Sequence, residues 1–375
     1  MKVIFKRESL LSSINIVLKA VSSKTTMPIL ECILIEASAE GVCLTANDTE
    51  LGIETRISTD KCTVTESGKI AVEAKLFSEI IRKIGIDNDS DILIQSNGNT
   101  IEISCDSSLF RIQEKDPDQF PALPRIDEDK YITISQFALK EAIKYTIFSI
   151  SPNDSNKMMT GELFEVNNNM LKVASLDGHR ISIRNTILNT DYPSVRVIIP
   201  GKTLIEITKI LPGDADKNVD IFFSKNYAVF KFDDTVMVTR LIDGDYFRIE
   251  SMLSSDYETK ITLNKKDFLD NIERSTILIR ENDKKPLVLN IVDSKIELKM
   301  NSIMGSMNSE LMVNKQGKNL MIAFNPKFLM DALRAIDDEE IVLYMTNPKA
   351  PCFIKDDEEK YIYLILPINF NPAAY

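Results

Sequence analysis

Three stretches of this chain spell the same local structure, and their spacing constrains the fold more than any other feature. NLMIAFNPKFLMDALRAI at 319–336 reads as a short strand, a turn at Asn325 and Pro326, then a helix. Phe328, Leu329, Ala332, Leu333 and Ile336 recur at steps of three and four, so one helical face is buried. Pro326 stands where a proline suits the first helical turn. VRVIIPGKTLIEITKIL at 195–211 and KIAVEAKLFSEIIRKI at 69–84 repeat the pattern. Aligning Leu76, Leu204 and Phe328 gives spacings of 128 and 124 residues. Such a period in a 375-residue chain predicts three domains of ordinary size, at 1–126, 127–254 and 255–375.

A second unit precedes the first in each third. The segments 1–21, 131–150 and 260–279 are each a strand leading into an amphipathic helix. Paired strand signals follow at 33–48, 163–178 and 287–301, with turns expected at Glu40–Gly41, Asn167–Asn169 and Asp293–Ser294. Further hairpins are expected at 91–113, 219–241 and 340–366. The predicted class is α+β: three repeated domains, each of two strand–helix–strands modules. Polar linkers are expected near 124–129 and 251–257.

Charge is distributed unevenly over this plan. The whole chain carries a net −11, which taken alone argues against nucleic acid as a partner. Yet each of the six helix windows (6–24, 75–83, 135–147, 200–211, 264–280 and 325–336) is net positive. Six equivalent basic helices on an acidic molecule suggest one shared surface facing a polyanion. No apolar run reaches membrane-spanning length and no signal peptide precedes the first strand, so the expected location is the cytosol. Cys32, Cys43, Cys62, Cys105 and Cys352 lack the paired spacing of a zinc site and read as buried or idle thiols.

The ordered set of motifs resembles one family. MPIL at 27–30, LTANDTEL at 44–51, FPALP at 120–124, LDGHRI at 176–181, FNPKFLMDAL at 324–333 and LILPINF at 364–370 are together similar to the bacterial DNA sliding clamp, the beta subunit of the replicative DNA polymerase. The resemblance covers essentially the full length. It implies a ring of two crescent chains closed head to tail around duplex DNA, with helices lining the hole and sheets outside. It also implies opening by an ATP-driven clamp loader and tethering of the polymerase catalytic subunit and other replication and repair proteins. Residence with the nucleoid follows from the same likeness.

Carried over by position, the resemblance implies a peptide-binding groove. Met159, Leu176, Gly178, His179, Arg180 and Ile181 would come from the second domain, and Phe247 and Met252 from the segment between domains. Asn325, Phe328, Pro351, Leu364, Leu366, Pro367 and Ile368 would come from the third. Aliphatic anchors with a few polar groups suit a small peptide site. Phe247 stands where the family usually has proline, and 371–375 run past the usual end, so that tail is expected to lie free of the fold. Lys24, Lys75, Arg82, Lys83, Asn153, Lys157 and Lys202 would face DNA, without base readout. Phe110 and Ile112 would meet Ile277 and Leu278 of a second copy.

Other readings of the same residues stay open. Asp177, Gly178, His179 and Arg180 read equally as a tight turn, and the groove aliphatics as a packed seam between domains two and three. His179, the only histidine, lacks a serine or cysteine nucleophile pattern and is a poor candidate for a catalytic base. The carboxylate runs 337–340 and 356–359 lack ligand spacing and read as solvated turns rather than metal sites. With no glycine-rich phosphate loop, the chain is expected to need no cofactor and to catalyse nothing. A repeated-domain scaffold that never encircles DNA is the alternative, and a metal-dependent hydrolase using the acidic loops is a third.

Overall fold

The computed structural model describes residues 1–22, 25–85, 87, 90–125, 131–152, 156–253, 256–279 and 285–372. Six strand-to-helix junctions form where the repeat places them. Strand Lys2–Lys6 enters α1 (Arg7–Val17), Gly68–Glu73 enters α2 (Ala74–Lys83) and Tyr131–Ser135 enters α3 (Gln136–Lys144). Arg180–Pro200 enters α4 (Gly201–Ile210), Thr259–Asn264 enters α5 (Lys265–Thr276), and Leu320–Phe324 leads into α6 (Pro326–Ala335). Local chemistry starts several of these helices. The Glu73 carboxylate accepts from the Lys75 and Leu76 amides at 3.1 and 2.9 Å, and Asn264 and Asn325 cap α5 and α6 through their amide oxygens. At the other end of α2 the Arg7 guanidinium donates to the carbonyls of Arg82 and Ile84 at 2.6 and 2.9 Å, satisfying acceptors the helix leaves open.

The strands form four antiparallel sheets among the described residues. Strand Thr235–Arg240 from the middle third pairs with Leu51–Ile57 from the first, which makes one eight-stranded sheet. Arg180–Pro200 pairs with Tyr361–Ile365 from the last third, within a seven-stranded sheet. These two pairings decide which residues cohere. The compact units are Met1–Gln136 with Lys209–Leu241, and Phe137–Thr208 with Ile242–Tyr375. The middle third is thus divided between units, because sheet hydrogen bonds run across the repeat boundaries.

In the first unit α1 and α2 bury Leu10, Ile14, Phe77 and Ile81. In the second, Phe268 and Ile272 of α5 and Leu329 and Leu333 of α6 pack with Leu289, Leu298 and Ile322 of the four-stranded sheet. Four cysteines are buried and Cys43 is half-buried, all of them free. Burial pushes the Cys43 and Cys352 thiols up to about 12, so they are inert packing groups.

One expectation needs correction. Asn167–Asn169 is not a hairpin turn: Gly161–Leu176 is one strand of sixteen residues, paired along its length with Arg180–Pro200. Asn168 takes a positive φ of 53°, and the register shifts on both sides of it, so the asparagines form an irregularity rather than a reversal. Of the charges in the first helix window, Lys6 ends a strand and pairs with Asp91 at 2.9 Å, α1 itself holds Arg7 and Glu8, Lys19 follows in a short turn, and Lys24 lies outside the described residues.

Candidate functional site

The second unit brings most of the groove residues to one place, and strand register explains how. Leu176 pairs with Ile181, Ile181 with Leu364, and Leu364 with Phe353. Partners directly opposite one another point to the same face, so these side chains form a row across four strands. Leu176, Ile181 and Leu364 are only 4–5 % exposed, and Met159, Phe247 and Leu253 pack against them. They are a floor, not the walls of an open trough. Next to Leu364 and Phe353, the neighbours Tyr363, Ile365, Cys352 and Ile354 point the other way, into the core packed against α5 and α6.

The turn between the first two strands of this row is tied down tightly. Gly178 sits at φ 85°, where a side chain is strained. The Asp177 carboxylate accepts from the amides of His179 (2.9 Å) and Arg180 (3.1 Å). Arg180 is 7 % exposed and fully engaged. Its Nε donates to Asp177 at 3.0 Å, its Nη1 to Asp331 of α6 at 2.7 Å and its Nη2 to the Phe148 carbonyl. The guanidinium lies 4.5 Å from the Phe328 ring centre, and the His179 ring stacks on the same phenylalanine at 6.0 Å. Arg180 is therefore a staple between turn and helix rather than a rim group. The exposed His179 remains at the surface.

Strand Tyr361–Ile365 runs on past this turn. The Leu366 amide donates to the His179 carbonyl at 2.9 Å, and the Ile368 amide to the Ala323 carbonyl at 2.7 Å. Leu366 is left 38 % exposed above the floor. Pro351, Pro367 and Ile368 are half-buried, as is Asn325, the cap of α6. Met252, 45 % exposed, ends the turn Ile249–Met252, whose Ile249 packs in the floor cluster. Among the described residues no serine, threonine or cysteine side chain hydrogen-bonds the His179 ring, and no group of three or more His, Cys, Asp or Glu is placed to hold a metal. The arrangement offers an apolar floor, two exposed anchors and a fixed turn, which is equipment for binding.

Comparison with known proteins decides the family. Family models of the DNA polymerase III beta subunit match throughout: the N-terminal domain at 1–124, the central domain at 133–247 and the C-terminal domain at 250–369. The chain belongs to the bacterial DNA sliding clamps. It is 33 % identical to the beta sliding clamp of Staphylococcus epidermidis, over 98 % of this chain and 99 % of that protein. A crystal structure of a putative DNA polymerase III beta subunit from Eubacterium rectale superposes with a TM-score of 0.94 at 54 % identity, over 99 % of this chain and 100 % of that one. The DNA polymerase sliding clamp of Bacillus subtilis gives 0.95 at 32 %, with the same coverage. Members of this family are processivity factors without catalytic activity, and the three-domain clamp fold accounts for the repeat.

The residues expected to face DNA or a second copy are distributed over both units. Lys75, Arg82 and Lys83 are exposed on α2 of the first unit; Arg82 reaches Asn15 of α1 at 3.4 Å. Lys157 and Lys202 are exposed in the second unit, while Lys24 and Asn153 lie outside the described residues. Phe110, 40 % exposed, and half-buried Ile112 occupy Ser108–Gln113, an edge strand of the first unit. Ile277 is 79 % exposed just past α5, and Leu278 packs partly on the core.

Sequence reading missed several participants. Asp331 and Phe148, the partners of Arg180, carry no motif of their own; a lone arginine next to a glycine turn was the only signal. Another edge strand, Gly305–Met312, has Ile303 at 90 % and Met304 at 59 % exposure in the turn before it. The acidic runs have structural partners that sequence did not show. Asp337 accepts from Lys144 and from the Tyr145 hydroxyl, and Asp338 from the Tyr361 hydroxyl. Among the described residues no helix is long and apolar enough to cross a membrane.

Proposed function

We propose that two copies of this chain close head to tail around duplex DNA and tether the polymerase catalytic subunit, with other replication and repair proteins, through the groove at Asp177–Arg180. The observation that carries the groove is the exposure of Leu366 and His179 over a packed apolar floor. Peptide anchors would enter by displacing Met159 and Phe247, and the unbranched methionine moves readily. Lys75, Arg82, Lys83, Lys157 and Lys202, with Lys24 and Asn153, would face the duplex and hold it by charge alone. Repeat domains at 1–126, 127–254 and 255–375, an ATP-driven loader to open the ring, and a cytoplasmic, nucleoid-associated location belong to the same reading.

Ring closure would pair the edge at Phe110 and Ile112 with the surface around Ile277 and Leu278, a heterologous contact that closes by rotation. The test is retention on DNA. Loaded onto a nicked circle, the chain should stay bound through a salt wash and leave when the circle is cut. The double variant Ile277→Ala, Leu278→Ala should scatter light as a folded monomer and never be retained. Retention that survives linearisation, or a double variant still dimeric at low micromolar concentration, sinks the ring.

Groove and seam readings separate on two leucines two residues apart. Leu366→Ala should leave the melt unchanged and weaken a polymerase-derived peptide by about 1–3 kcal/mol. Leu364→Ala, at 4 % exposure, should instead lower stability by about 2–5 kcal/mol. His179→Ala should behave like Leu366→Ala, with a smaller loss. Calorimetric titration beside thermal melts reads both; unchanged affinity in Leu366→Ala places the peptide site elsewhere.

A further inference from the structure

The second unit holds a trough beside the proposed groove. It has a volume of about 580 Å³ and lies between the turn from Thr346 to Lys349, the segment from Lys318 to Met321 and the tail from Ile368 to Pro372. Local sequence steadies two of its walls. The Asn347 side chain accepts from the Lys349 and Ala350 amides at 2.9 and 3.0 Å, and Pro348 and Pro351 restrict the backbone on either side of that pair. The tail is pinned where the Ile368 amide meets the Ala323 carbonyl, and Pro367 and Pro372 fix φ at two points along it. Both walls continue out of the groove. The turn runs on into Pro351, and the tail leaves from Leu366 and Pro367, so Ile368 belongs to groove and trough alike.

The lining is apolar and open to an incoming side chain. Met321, Ile368 and Phe370 are half-buried, and Pro348 and Pro372 are exposed. Its two cations differ. Lys318 is engaged by Glu258 at 2.8 Å, whereas the exposed Lys349 makes no ion pair with any described residue. A thioether and a phenyl ring are surfaces on which a flat aromatic side chain packs well. A free ammonium at the edge favours a carboxylate next to that ring.

We propose that this trough is a second anchoring site for the segments that bind the groove, taking an aromatic side chain with an acidic neighbour from the stretch of partner that runs on past the groove. The proposal rests on the groove being the peptide site. Crossing from Leu366 to Phe370 takes about four residues of extended chain, roughly 13 Å. Partners that share the same groove anchors are then told apart by the residues flanking them.

Calorimetric titration of the full chain with three synthetic peptides tests it. All carry one polymerase-derived groove segment. The first has no extension, the second is extended at both ends by serine and glycine, and the third carries phenylalanine and glutamate about four residues out at both ends. The third should bind about tenfold more tightly than the second. Lys349→Glu, at an exposed position, should remove about threefold of that gain, and Lys349→Glu with Phe370→Ser all of it. Neither variant should change the affinity of the unextended peptide, and the remote reversal Lys225→Glu should change nothing. Equal affinity of the two extended peptides overturns the trough and leaves the groove standing. Failure of the unextended peptide to bind removes the groove and the trough with it. A gain that survives both substitutions, or that Lys225→Glu abolishes equally, also overturns the assignment. So does a gain seen only after deletion of 373–375, which assigns the trough to those residues instead.

Discussion

Replacing Glu162 by glutamine is expected to raise the stability of this clamp at pH 8 and to flatten its pH dependence between pH 5 and 9. Glu162 is fully buried in strand Gly161–Leu176, and neither carboxylate oxygen has a hydrogen-bond partner among the described residues. Burial pushes the carboxyl up from 4.5 to about 8. The Tyr246 phenol, part of the floor cluster under the groove, is pushed up mainly by its own burial and further by the Glu162 charge. The sign follows from proton counting. Between pH 4.5 and 8 the folded chain keeps a proton that the unfolded chain has lost, so stability falls as pH rises through that window. Each pH unit costs about 1.4 kcal/mol, so the whole window is worth on the order of 5 kcal/mol. Glutamine imitates the protonated carboxyl and removes the slope. Thermal melts of both proteins across pH 5–9 read the difference, in which all other titrating groups cancel. Near-equality at pH 5 with a growing advantage for Glu162→Gln toward pH 9 is the expected pattern. Parallel curves mean that Glu162 reaches water.

Arg180→Ala should be the most damaging single change at the groove. It leaves Asp177 and Asp331 unpaired in poorly solvated places, strips a partner from the Phe148 carbonyl and uncovers the Phe328 ring. Breaking a buried ion pair from one side typically costs about 3–5 kcal/mol. In a unit of this size that is a fall of roughly 10 °C in melting temperature. Arg180→Lys should recover little, because an ammonium cannot span both carboxylates and a carbonyl with a planar fork. Peptide affinity should fall along with stability, since the turn that holds His179 and the Leu366 amide is anchored by this residue. A melt within 2 °C of the parent would show that the network contributes nothing net. Restoring the melt with Asp331→Asn in the Arg180→Ala background would identify the stranded carboxylate as the main cost.

The sequence by itself determined the modules. Helical spacing at Leu329, Ala332 and Leu333, with Asn325 and Pro326 before them, is local chemistry, and it set all six strand-to-helix junctions. Alternation set most hairpins, failing at Asn167–Asn169, where an asparagine can enter a bulge as easily as a turn and only the partner strand chooses between them. The proposed groove residues came from resemblance alone, because no periodicity distinguishes Leu364, in the floor, from Leu366, at the surface. Tertiary structure decided that difference: strand register sends Leu176, Ile181 and Leu364 to one face, and the strand ends before Leu366. It also decided how the thirds are joined. Sheet hydrogen bonds between residues more than a hundred positions apart leave no trace in either strand's own pattern, so the two compact units cross the repeat that the sequence displays. Arg180 shows the same limit in one side chain: its motif marks a turn, whereas its burial and its partner Asp331 exist only once α6 has packed beside it.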